Sequence, residues 1–60
     1  MNGKTTVWKV RVQFSTPGPA RTVSISGPRA MLRVQQEIEE AADMLLAGTI
    51  IDLTVWKEQK

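Results

Sequence analysis

An apolar stripe is the clearest pattern along the chain. Met31, Val34, Ile38, Ala41 and Leu45 recur at spacings of three and four residues, the period of an amphipathic helix. Ala42 widens the stripe, and Arg29, Arg33, Gln36, Glu37, Glu40 and Asp43 occupy the opposite face. Pro28 suits the first helical position, where its missing N–H has no partner to lose, with Gly27 or Ser26 as the N-cap. Gly48 follows the last periodic residue and suits a left-handed cap. The spacing therefore predicts a helix over 28–47. The stripe has the look of a coiled-coil seam, but it lasts about two heptads where a coiled coil needs at least three or four. A helix lying on a core is the expectation. Leu32, Met44 and Leu46 fall outside the stripe.

On both sides of the helix the period drops to two. In 6–15, Trp8, Val10, Val12 and Phe14 alternate with Val7, Lys9, Arg11 and Gln13, as in a strand buried on one face. Thr16-Pro17-Gly18-Pro19 reads as a type II turn, with Pro17 at the first corner and Gly18 at positive φ at the second. In 20–26, Val23 and Ile25 face the helix, Thr22 and Ser24 face away, and Arg21 shares the parity of Val23 at the rim, where its head reaches water. In 50–58, Ile51, Leu53 and Val55 take the core face, and Ile50, Asp52, Thr54 and Trp56 the other.

The order ββαβ predicts an α+β domain: a three-stranded sheet with one helix packed on one face. Strand two, the helix and strand three form a crossover of right-handed sense. The long first strand is placed at the centre, in spatial order 2-1-3, and the short, half-polar second strand at an edge, as edge strands tend to be. The whole of 1–60 is read as one domain, with 1–4 as a flexible N-terminus. One four-residue string recurs: Thr6-Val7-Trp8-Lys9 returns as Thr54-Val55-Trp56-Lys57. It is read as a chance recurrence in two β-rich stretches, since tryptophan has core parity in the first copy and open-face parity in the second.

Composition narrows the chemistry. The chain has no cysteine and no histidine, which removes disulfides, most zinc chemistry, the commonest general base and the strongest neutral-pH nucleophile. Gly3-Lys4-Thr5 resembles the end of a phosphate-binding loop, but that motif needs a glycine five residues before the Gly-Lys pair and a strand before that, and only two residues precede Gly3. Glu37 and Glu40 meet at i,i+3 on a face that also holds Arg33, which reads as a solvated acidic face rather than a metal site. Ser26-Gly27-Pro28-Arg29 has the makings of an anion site at a helix start, but an ordinary cap is the simpler account. The expectation is therefore no enzyme, no cofactor and no metal. With no apolar run near the ~18 residues of a membrane span and no apolar leader in 1–5, a cytoplasmic location and no membrane association are expected.

One helix covers one face of the sheet, so the other face holds the candidate site. It is read as carrying Val7, Lys9, Arg11, Ile50, Thr54 and Trp56, with Trp56 either stacked under Lys9 or Arg11 or engaged by a partner. Tryptophan and arginine are enriched at interface hot spots. The first reading is a non-enzymatic accessory module that binds a protein partner, or itself, through the face around Trp56. Small cysteine-free chains often serve in this way, those encoded by phages among them. The exposed edge of strand three and the unplaced apolar helix residues add self-association, edge to edge or face to face. The alternative is nucleic-acid binding through Lys9, Arg11 and Arg21. A net charge of +2, from eight Lys/Arg against six Asp/Glu, is too small to argue for it alone.

Overall fold

The computed structural model describes residues 5–59. Its elements are β1 (Thr6–Phe14), β2 (Arg21–Ile25), α1 (Ala30–Ala47) and β3 (Ile50–Gln59). The strands form one antiparallel sheet in the order β2-β1-β3, and α1 packs on one face. This is the α+β, ββαβ arrangement with β1 at the centre. The segment expected to fray, Met1 to Lys4, lies outside the described residues.

Alternation in β1 explains why it is central. Val10 and Val12 point under the helix and are buried, while Arg11 between them is exposed. The core consists of two small groups. Val10, Ile25, Ala30 and Val34 form one, flanked by Trp8, Val23, Ile38, Leu53 and Val55. Val12, Ala41 and Ile50 form the other, flanked by Phe14, Met44 and Leu53.

The helix begins later than its proline implied. Pro28 and Arg29 lie in a turn closed by the Ala30 N–H donating to the Gly27 carbonyl at 3.2 Å. The locked φ of Pro28 suits the first corner of such a turn, and Arg29 becomes the N-cap at φ −110°, ψ 24°, with no side-chain cap. Neither Gly27 nor Ser26 caps the helix. Its C-terminus follows expectation. Gly48 adopts φ 81°, the Gly48 N–H donates to the Leu45 carbonyl, and the Thr49 N–H donates to that of Met44. These two bonds make a Schellman motif. The first loop differs from the expected type II turn. Ser15 to Ala20 is a bent segment without regular structure, and Gly18 has φ 151° rather than the roughly +80° of that turn.

Two corrections concern which side chains are covered. Val34 and Ala41 are buried and Ile38 is half-buried, but Met31 and Leu45 are 54% and 44% exposed, and Ala30 takes the N-terminal core position. The small residues Ala30 and Ala41 seat the helix on the sheet, which leaves Met31, Ile38 and Leu45 along one flank. In β3, Gln13 pairs with Asp52 but Phe14 pairs with Ile50, so Ile51 is an extra residue at a β-bulge. One inserted residue reverses the alternation beyond it. Ile50, placed by strict alternation on the open face, is therefore in the core at 1% exposure, whereas Ile51, assigned to the core, is 65% exposed. Leu53 and Val55 keep the helix side.

The bulge makes a testable asymmetry. Ile50→Ala should cost about 2–5 kcal/mol, the usual range for emptying a buried isoleucine site. Ile51→Ala should stay within about 0.5 kcal/mol, as exposed positions do. Urea denaturation of the two variants against the parent chain measures both, and equal losses or the reverse order would contradict the bulged register.

Candidate functional site

Because β1 is paired on both sides, its outward residues form the middle row of the uncovered face. The register sets Lys9 between Ser24 and Trp56, and Arg11 between Thr22 and Thr54. Val7 lies opposite Glu58, and Gln13 opposite Asp52. Five of the six residues expected at the binding face, Val7, Lys9, Arg11, Thr54 and Trp56, thus share one surface. The sixth, Ile50, is removed to the core by the bulge.

Trp56 is the centre of this surface, and it is half-buried rather than bare. The Arg11 guanidinium stands 6.0 Å from its ring centroid, at the limit for attraction by the ring quadrupole. The indole Nε1–H donates to Glu58 Oε2 at 3.0 Å. Lys9 lies directly opposite Trp56, but its ammonium turns toward β2 and donates to Ser24 Oγ at 2.7 Å. Thr54 Oγ1 donates to Asp52 Oδ2 at 3.2 Å. Of the two cations expected to stack on the indole, Arg11 does so. Its contact is worth about 0.5–1 kcal/mol at an exposed site. The face therefore carries two cations and two acids around one aromatic ring.

The three residues of the nucleic-acid reading are not brought together. Arg21 pairs with Val12 in the ladder, so it belongs to the helix side of the sheet. There it lines a cleft with Glu37 and Glu40, over a floor that includes Val10, Val12 and Val23. The cleft has a volume of about 40 Å³. That is room for a few waters, each needing about 10–15 Å³ of such space, whereas small-molecule sites are commonly about 300–1,000 Å³. The acids of the helix stay dispersed: among the described residues, no group of three or more Asp or Glu side chains converges as a metal site would require. Among those residues, no helix is long and apolar enough to cross a membrane.

The recurring Thr-Val-Trp-Lys string has a structural consequence. Antiparallel pairing sets Trp8 opposite Lys57 and Lys9 opposite Trp56. The Trp8–Lys57 pair lies on the helix side, with Lys57 Nζ 5.6 Å from the Trp8 ring centroid. The Lys9–Trp56 pair lies on the open side. Equal Trp-Lys order in two antiparallel strands makes this crossing possible, and a register drawn from both copies would have found it. Compared with known proteins, the chain matches no family model, no curated protein and no solved structure.

Proposed function

We propose that this chain is a non-enzymatic protein-binding module whose contact surface is the open sheet face centred on Trp56. The observation that carries this reading is the indole itself, outside the helix-covered core yet held by Arg11 and Glu58. Tryptophan and arginine are enriched at interface hot spots. Side chains already fixed by mutual contacts lose less rotamer freedom on binding, about 0.5–1.5 kcal/mol for each one otherwise immobilised. Val7 at one end and Thr54 beside the ring extend the patch along the strands. The lack of histidine and cysteine and the small size of the cleft argue against catalysis.

Nucleic-acid binding is the weaker reading. Lys9 is engaged by Ser24, Arg21 faces the other side, and Asp52 and Glu58 offset the remaining positive charge on the face. Titration with single- and double-stranded oligonucleotides at low salt should show no saturable binding. Tight binding that weakens steeply with salt would favour the alternative.

The main test uses Trp56→Ala beside the parent chain. Folding should change by about 1 kcal/mol, the size of the lost cation–π contact, as read by urea denaturation. Proteins of the native host retained by the immobilised parent chain should be lost with Trp56→Ala and kept with Leu46→Ala, an exposed helix control. Global unfolding of Trp56→Ala would make the residue structural, and an unchanged set of retained proteins would remove the face from the binding surface.

A further inference from the structure

We infer that a second copy of this chain docks along the outer edge of β3, forming a two-fold dimer with a continuous six-stranded sheet and two antiparallel helices on one side. The chain alone leaves much of itself uncovered. Its accessible surface is 4424 Å², against about 3,900 Å² for a folded monomer of its mass. Its radius of gyration is 13.0 Å, against about 10 Å for a compact chain of this length. The body is a thin plate of 44 × 21 × 11 Å, and added burial must come from outside it.

The two sheet edges are unlike. β2 has five residues and is flanked by Pro17, Pro19 and Pro28, features that discourage strand addition. β3 has ten residues, contains no proline, and pairs along one side only, with β1. Its middle, Leu53-Thr54-Val55-Trp56, has strong strand preference.

The helix flank above this edge is the apolar one. Glu37, Glu40 and Met44 look over β2 and line the cleft there. The opposite flank carries Met31, Ile38 and Leu45, seven residues apart, and Ile38 packs against the same cluster of Val10, Ile25, Ala30 and Val34 as Leu53 and Val55 do. Ile38 is the midpoint of its flank, and Leu53 and Val55 bracket Thr54. A single two-fold axis near Ile38 and Thr54 therefore makes both layers self-complementary, as an isologous interface requires. It sets Met31 against Leu45 of the second copy and Leu53 beside the second copy's Val55. With strands about 4.8 Å apart and α1 packed more on β1 and β3 than on β2, the two helices come about 10 Å apart, a normal packing distance. A wall about 30 Å long and two layers deep buries roughly 600 Å² per copy, about 1,200 Å² in all, which reaches the range of stable interfaces.

Light scattering on the full chain should give twice the 6.7 kDa chain mass. The double substitution Met31→Glu with Leu45→Glu should halve it, while Leu32→Glu with Gln36→Glu, exposed positions one turn apart on the outer helix face, should not. As a check that does not rest on those variants folding, Thr54→Cys adds a lone thiol to a cysteine-free chain. At a two-fold antiparallel pair its Cα lies about 4.5–5.5 Å from its counterpart, within disulfide reach. Mild oxidation should cross-link Thr54→Cys and leave Thr22→Cys, on β2, uncross-linked. A monomer at all soluble concentrations, cross-linking through Thr22→Cys instead, a dimer that survives Met31→Glu with Leu45→Glu, or a dimer dissolved by Trp56→Ala would each overturn the arrangement. The last outcome would mean that the copies meet through their open faces.

Discussion

A helix with its side chains is about 10–12 Å across, whereas three strands at about 4.8 Å spacing present a wider surface. One helix cannot roof all of it. Here α1 settles over β1 and β3 more than over β2, and the other features of the molecule follow from that choice. A narrow cleft opens beside β2, with Arg21 on one wall and Glu37 and Glu40 on the other. The core is confined to a line of small and medium residues, Val10, Val12, Val34, Ala30 and Ala41, joined by Ile25 and Ile50 at the ends. Among the described residues no element covers the underside of the sheet, and its side chains satisfy one another.

They do so across the strands. On the open face, Arg11 meets the ring of Trp56, Glu58 accepts from its indole, and Lys9 turns to Ser24. Each contact is modest, since exposed pairs of this kind contribute well under a few kcal/mol. Their joint effect is on conformational freedom rather than energy. A tryptophan tied at its face and at its N–H samples fewer rotamers, so a partner meeting it has less disorder to remove. The same contacts also shield the ring in the isolated chain. Local self-satisfaction, and the preorganisation on which the proposed binding role relies, thus rest on one set of distances.

Much of this was legible in the residues. Strict alternation in β1 and the helical period of Val34, Ile38 and Ala41 were enough to order the strands 2-1-3 and to place Trp56 on the face away from the helix. The misreadings have specific causes. Periodicity marks a helical face to within about one side chain, so it could not tell that Ala30 would sit in the core while Met31 and Leu45 lay at the flank. The choice depends on how closely the helix approaches the sheet, which small residues permit. The exchange of Ile50 and Ile51 came from the bulge. Both residues are isoleucine, so hydrophobicity could not choose between them, and the two-residue connection after Ala47 brings the first of them under the helix. Pro28 was ambiguous because a fixed φ near −65° suits a turn corner as well as a first helical position. Arg21 was placed with the parity of Val23, and its separation from Lys9 and Arg11 follows from that placement.

The open face and the edge of β3 share residues, and this ties the two surfaces together. Trp56 lies on β3, with Lys9 on one side and the unpaired edge on the other. In the proposed dimer, strand addition centred on Thr54 would supply the missing neighbour, Asp52 of the second copy. An acid there lies near the rim of the indole, where the ring's quadrupole is positive, while Arg11 occupies its negative face. The row across the join is then cation, aromatic, acid, repeated in reverse by symmetry. Each copy would add its own Trp56 to a floor twice as wide, so the proposed dimer and the proposed partner site would reinforce rather than compete: pairing would consume the edge and enlarge the face it borders.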